Sequence, residues 1–284
     1  MTGSIELESP AKVNLFLKVT GKRPDSYHDL VSLMCCIGLH DRIVLRPGTA
    51  SVAVTCSYPG VPEDGRNLAA RAAELFYKRY PCRDRVAIEI EKKIPVGAGL
   101  GGGSSNAAAV LGGLNDHYGR PISTGELIRL GASLGADVPF FLFGGPALAT
   151  GIGDHLAAYS GLDRWPIVVI YPGFGIPTAS VYKNLNFGLT KCQNQLKEFF
   201  LKQDGFTLAH HLCNDLERVV IPQYPEIATA KERLLENGAQ GALMSGSGSS
   251  VFGLFPDPRT ARAAGKALAP GYGGAVFVAD LLVD

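Results

Sequence analysis

The segment Pro95-Val-Gly-Ala-Gly-Leu-Gly-Gly-Gly-Ser-Ser-Asn-Ala-Ala-Ala-Val-Leu111 decides how the rest of this chain is read. Glycines at 97, 99, 101, 102 and 103 leave a turn almost bare of side chains, so a ligand can come close to its backbone N–H groups. Ser104 and Ser105 then open an alanine-rich, helix-forming stretch. The first amides of a helix lack intrahelical acceptors and lie at the positive end of its dipole. A bare turn feeding such an end is a site for polyphosphate. A nucleotide is therefore the first ligand to consider.

Upstream of the turn, Arg85-Val-Ala-Ile-Glu-Ile-Glu-Lys alternates as a strand and stops at Pro95. Asn67 precedes Leu-Ala-Ala-Arg-Ala-Ala-Glu-Leu-Phe-Tyr-Lys-Arg, a helix with a capping residue at its start and bases in its last turn. Ile5 to Thr20 and the segments between Arg42 and Tyr58 are β-prone, with Lys12 and Asn14 as polar insertions. Downstream, Ser123-Thr-Gly-Glu126 has capping-box spacing and predicts a helix ending near Gly135. Ala136-Asp137-Val138-Pro139 then falls in an exposed turn before an apolar strand. After Asp154 the texture changes. Trp165 to Tyr171 reads as a buried strand, the stretch from Val181 as helical, and Gly241 to Phe255 as two strands around a second glycine turn. The division expected is 1–155 and 156–284, with no internal repeat.

At 284 residues, with 46% hydrophobic and 19% charged residues, the chain has ample core for one large or two ordinary domains. A net charge of +1 argues against broad binding to nucleic acid or membrane. Acids near the amino end and the lack of a long apolar run give neither a signal peptide nor a membrane span. The six cysteines show no C-x-x-C pair and no zinc spacing, so they read as reduced thiols in a cytoplasmic protein. A monomer or weak homodimer is expected. His210, His211 and Cys213 lack further ligands at metal spacing and read as structural, so no protein-held metal is expected.

Three nucleotide loops compete for residues 95–105. A P-loop needs a lysine after its glycines, and none follows. A dinucleotide fingerprint is formally met by Gly97, Gly99 and Gly102, but it calls for an acid at the end of a following strand. Asn115-Asp-His-Tyr-Gly-Arg-Pro is instead a turn with no strand before it. The full string resembles the phosphate loop of the GHMP kinases, the superfamily of galactokinase, homoserine kinase, mevalonate kinase and phosphomevalonate kinase. That resemblance implies a two-domain α+β fold, with a mixed-sheet amino-terminal nucleotide-binding domain and a ferredoxin-like carboxy-terminal domain. It also implies ATP as phosphoryl donor with Mg²⁺ carried in, and contacts to the phosphates from Pro95, Val96, Gly97, Ala98, Gly99, Leu100, Gly101, Gly102, Gly103, Ser104 and Ser105.

Five further segments are similar to one branch of that superfamily. They are Ala11-Lys-Val-Asn-Leu-Phe-Leu17, Arg23-Pro-Asp-Ser-Tyr-His28, Leu134-Gly-Ala-Asp-Val-Pro-Phe-Phe141, Asn214-Asp-Leu-Glu217 and Ser245-Gly-Ser-Gly-Ser-Ser-Val-Phe252. They follow the family's order over nearly the whole chain. The branch phosphorylates the 2-hydroxyl of 4-diphosphocytidyl-2-C-methyl-D-erythritol in the non-mevalonate isoprenoid pathway, so the substrate implied is a small cytidine-diphosphate-linked alcohol. One departure is Ser26, where the family usually has glycine before the Tyr-His pair.

The resemblance implies a role for each matching residue. Asp137 is the candidate base, against the plainer reading of a solvated turn aspartate. Lys12 is its partner, holding it ionised and stabilising developing negative charge; the plainer reading is an edge-strand lysine facing water. Asn14, on the same strand face as Lys12, contacts substrate or makes a strand-end hydrogen bond. Tyr27 and His28 hold the cytosine, with Tyr182 as a second aromatic wall and Thr178 as a polar contact. Asn67, Leu68 and Lys92 lie near the adenine, although Asn67 is equally a helix cap. The Gly246 turn approaches phosphates or substrate, or is simply a hairpin. A sister kinase for mevalonate, homoserine or a sugar would need no cytosine clamp. A non-catalytic nucleotide-binding module would need neither Lys12 nor Asp137.

Overall fold

The computed structural model describes residues 3–25, 27–185, 192, 208–271 and 273–283. In chain order the elements are β1 (Ile5–Lys22), β2 (His28–Thr49), β3 (Ala53–Cys56), α1 (Leu68–Arg79), β4 (Arg85–Glu91), α2 (Gly102–His117), α3 (Thr124–Ala132) and α4 (Val138–Phe143). They continue as β5 (Ala147–Thr150), β6 (His155–Ala158), β7 (Pro166–Tyr171), α5 (Thr178–Lys183), β8 (Cys213–Asn214), α6 (Glu217–Val220), α7 (Glu226–Glu236), β9 (Gly241–Met244), β10 (Val251–Leu254), α8 (Pro258–Leu268) and β11 (Ala275–Leu282). This is the mixed-sheet α+β class expected.

Two compact units emerge, and neither is one continuous stretch. The first holds Met1–Ala11, Leu39–Ile94 and Gly101–Gly145; the second holds Lys12–Gly38, Pro95–Leu100 and Pro146–Asp284. Strands β1 and β2 therefore contribute to both.

In the first unit, the end of β2 pairs antiparallel with β4 from Arg42 opposite Glu91, and β3 joins β4 in parallel. The alternation of β4 puts Val86, Ile88 and Ile90 into the core with Ile43 and Leu45. Helices α1 and α2 cover that face through Ala69, Ala72, Ala73, Ala107 and Ala108. Alanines at these positions let two helix backbones approach closely while Phe76 and Leu111 fill the layer beneath. Asn67 caps α1 by accepting from the Ala69 amide at 2.9 Å, and Ser123 caps α3 by accepting from Glu126. Both caps agree with the sequence reading.

In the second unit, β9, β10, β7 and β11 lie in that order with every neighbour antiparallel. Numbered along the chain, β7, β9, β10 and β11 give the spatial order 4-1-3-2 with α7 and α8 in the crossovers. That is the ferredoxin-like arrangement. Val168, Ile170, Met244 and Val251 of the sheet meet Ile227, Leu234, Ala261 and Leu268 of the helices.

Two expectations are corrected. The apolar run after Asp137 is the short helix α4 and not a strand. Proline in its first turn and a left-handed Gly144 at its end are helix punctuation, and six apolar residues carry no period that separates the two forms. Second, Cys192 and Cys213 are joined in a disulfide with Cα atoms 5.8 Å apart, so the six cysteines are not all reduced thiols. Four remain free: Cys35, Cys36, Cys56 and Cys82. The position of Ser26 lies outside the described residues.

Candidate active site

The glycine turn is held by its carbonyls. In the second unit, Gly97 O accepts from the Ile176 amide at 3.1 Å and Ala98 O from the Ser250 amide at 3.1 Å. Gly99 O accepts from the Ser245 hydroxyl at 3.0 Å, and Leu100 O from the Lys12 amide at 2.9 Å. Four consecutive oxygens are thus committed to protein. Among the described residues the amides of Gly99 and Leu100 donate to no protein acceptor. A built Cβ at Gly99 would lie 2.1 Å from Ser245 O, with φ at +77°. Only glycine fits there.

In the first unit the turn becomes helix α2 at Gly101, whose φ of +72° is left-handed and whose position offers no side-chain cap. The amides of Gly102, Gly103 and Ser104 are left without acceptors among the described residues. A Cβ on Gly102 would meet Lys92 Nζ at 2.9 Å and Ile94 Cγ2 at 3.0 Å, whereas Gly103 has room. Ser105 is 1% exposed and its hydroxyl accepts from Ser9 at 2.7 Å, while Ser104 stays half-buried. Unsatisfied amides at an uncapped helix start are the chemistry a triphosphate needs. Phosphate oxygens fit this donor set.

Asp137, also in the first unit, occupies the N-cap position of α4 but does not use its carboxylate as a cap. It is half-buried. The side chain of Asn67 is spent on α1: besides the Ala69 amide it reaches Pro62 O at 2.7 Å. Leu68 begins the same helix, half-buried. The Lys92 ammonium is buried and paired with Asp41.

In the second unit, Lys12 is 3% exposed and its Nζ donates to Asn14 Oδ1 at 2.6 Å. Asn14 Nδ2 donates to the Ser32 hydroxyl at 2.8 Å, which donates to Phe16 O at 2.7 Å. Lys12 therefore does not face water. The second glycine turn meets them: a Cβ on Gly246 would lie 3.2 Å from Asn14 Oδ1, 3.2 Å from Gly99 O and 3.3 Å from Lys12 Nζ. His28 and Tyr182 stack with ring centroids 5.3 Å apart and planes 30° from parallel. Burial, then the nearby Lys22 charge, pushes the His28 imidazole below its ordinary value and keeps it neutral. Tyr27 is 58% exposed, as an unpaired aromatic wall would be. Thr178 shares a 2.8 Å hydroxyl contact with Ser247 of the second glycine turn.

Residues of a segment that the sequence reading quoted without giving a role support this frame. Asn214 Nδ2 donates to both Met244 O and Gly246 O at 2.8 Å, while its Oδ1 accepts from Leu216 N at 3.0 Å. Asp215 accepts from the amides of Val19 and Cys192. Glu217 pairs with Lys231 and accepts from the Met244 amide. The Asn-Asp-Leu-Glu segment thus fixes the second glycine turn in place. Cys192, Cys213 and Asp215 lie close enough to share an ion, but both sulfurs are bonded to each other.

Comparison with known proteins places the chain in a family. The GHMP kinases N terminal domain family matches residues 67–145 and the GHMP kinases C terminal family residues 196–273. The chain is 44% identical to the 4-diphosphocytidyl-2-C-methyl-D-erythritol kinase of Syntrophus aciditrophicus (strain SB), over 96% of this chain and 98% of that one. It is 45% identical to the enzyme of the same name from Syntrophotalea carbinolica, over 97% and 98%. A crystal structure of 4-(cytidine 5'-diphospho)-2C-methyl-D-erythritol kinase superposes with a TM-score of 0.82 at 37% identity, covering 98% of this chain and 99% of that one. No helix among the described residues is long and apolar enough to cross a membrane. With both domain families in order and near-complete overlap at this identity, the chain belongs to the GHMP kinases, in the branch of the 4-diphosphocytidyl-2-C-methyl-D-erythritol kinases.

Proposed function

We propose that this protein transfers the γ-phosphoryl group of ATP to the 2-hydroxyl of 4-diphosphocytidyl-2-C-methyl-D-erythritol, as a step in making isoprenoid precursors by the non-mevalonate route. The observation that carries the reading is the glycine turn: four oxygens turned into protein, and amides at an uncapped helix start left for an anion. Phosphoryl transfer asks a protein chiefly for positioning and charge neutralisation. Residues 95–105 supply both through backbone dipoles that need no reorganisation.

Asp137 accepts the proton of the attacking hydroxyl. Lys12, steered by Asn14 Oδ1, neutralises charge as it builds on the transferring group. Mg²⁺, bound with ATP, supplies further neutralisation of the phosphate oxygens. His28 and Tyr182 stack against the cytosine with Tyr27, and the neutral imidazole reads the edge of the base. Thr178 and Asn14 contact the substrate's polar groups. Asn67, Leu68 and Lys92 line the adenine through backbone and aliphatic surface, since the Asn67 amide and the Lys92 ammonium are already engaged. Residues 1–155 form the amino-terminal GHMP kinase domain and residues 156–284 the carboxy-terminal one. The protein works in the cytoplasm on a small-molecule substrate, as a monomer or weak homodimer.

A coupled assay of ADP release tests the reading. Turnover with the cytidyl substrate, and none with mevalonate or homoserine, is expected. Phosphorylation of either of those compounds without the cytidyl one would refute it, and nucleotide binding with no ADP release would leave a non-catalytic module.

A further inference from the structure

We propose that Asp41 is a positioning residue for the phosphate-binding turn, acting through Asn106 and Ser9. The inference rests on the ATP-binding reading of residues 95–105. Asp41 lies in β2 and is fully buried. Its Oδ1 accepts from the amides of Lys93 and Ile94 at 2.8 and 2.9 Å, the last residues before the turn begins at Pro95. Its Oδ2 pairs with Lys92 Nζ and accepts from Asn106 Nδ2 at 2.9 Å, on the first turns of α2. One carboxylate therefore holds both the chain entering the turn and the helix leaving it.

A buried ion pair is weak evidence of stability, because apolar residues of the same volume often serve as well. What a carboxylate with four donors adds is geometry: its two oxygens fix two separate segments at set distances. The set does not end there. Asn106 Nδ2 also donates to Ser9 Oγ at 2.9 Å, so the Ser9 proton is free to go to Ser105 Oγ at 2.7 Å. Ser105 is thereby turned inward and α2 is held in rotation about its own axis. Gly102, packed against Lys92 and Ile94 with no space for a Cβ, keeps its amide at the mouth of the helix. Ser9, Asp41, Lys92, Ser105 and Asn106 all belong to the first unit, so the network is complete within it.

The experiment is calorimetric titration of wild type, Ser9→Ala and Asp41→Asn with a non-hydrolysable ATP analogue and, separately, with the cytidyl substrate. Ser9→Ala removes one neutral link and no charge; it should fold, weaken the nucleotide about fivefold and leave the cytidyl substrate unchanged. Asp41→Asn, which also leaves Lys92 unpaired, should weaken the nucleotide more than Ser9→Ala with the same split. Equal nucleotide affinity in wild type and folded variants overturns the proposal. Parallel weakening of both ligands also overturns it, since that signals general loosening. If Asp41→Asn does not fold, Ser9→Ala decides alone. Absence of nucleotide binding in the wild type is a different failure: it removes the kinase reading, and this inference with it.

Discussion

The backbone amide of Lys12 donates to the carbonyl of Leu100 at 2.9 Å, so the residue that carries the strand's only buried ammonium also fastens the glycine turn. One residue thus supplies both a buried charge and a main-chain anchor for the turn.

That double duty makes the choice of substitution matter. Lys12→Met keeps the backbone bond and the buried stem while removing the charge. It and Asp137→Asn should retain the wild-type melting profile and lose turnover by about 100-fold or more. Steady-state ADP release checks this, and a near-wild-type rate in either variant removes that residue from the chemistry.

Glycines of the turn are not equivalent. Gly99→Ala forces a methyl group into Ser245 O at a left-handed φ, so expression of folded protein should collapse. Gly103→Ala has Leu68 Cδ1 at 3.7 Å as its nearest neighbour and a helical backbone, so it should stay folded. Circular dichroism melts of the pair separate the two cases.

The buried imidazole of His28 gives a pH signature. Its pKa in the folded protein is below the unfolded value of about 6.5. A depressed value means that the stabilising neutral form is fully present above the unfolded pKa and is lost as pH falls through the folded one. KM for the cytidyl substrate should therefore stay flat down to and below about pH 6.5 and rise only as pH falls through the lowered folded-state pKa, while His28→Gln should abolish that rise. KM for ATP over the same range is the control.

Thiol chemistry should follow burial. Desolvation pushes the Cys35 and Cys36 thiols up to about 12, so neither forms thiolate near neutrality. Iodoacetamide at pH 8 on the native protein should label Cys56 and Cys82 and spare that pair, as peptide mass spectrometry would report. Pre-reduction should add label at Cys192 and Cys213 and lower the melting temperature, because the bridge closes a sequence separation of 21 residues.

Much of this molecule could be read from residues alone, where the signal is local. The caps at Asn67 and Ser123 are contacts within three residues, and the glycine turn announces itself by composition. The misread helix after Asp137 had its cues in Pro139 and Gly144, but a continuous apolar run gave them no period to modify. Cys192 and Cys213 form no spacing motif, and their pairing depends on β8 lying parallel to β1, a long-range register with no local trace. Asp41 is another such case. A lone acid in His40-Asp41-Arg42-Ile43 belongs to no local motif, and its four donors come from residues 92–94 and 106.

Strands β1 and β2 each begin in one compact body and finish in the other. Residues 12–38, made early on the ribosome, find partners such as Cys213, Asn214, Leu281 and Leu282 only when synthesis is almost over. Until then they present bare ladder edges, a state in which chains cling to one another. A gene severed near residue 155 would yield two clinging fragments in place of two free-standing proteins, so this architecture is inherited whole.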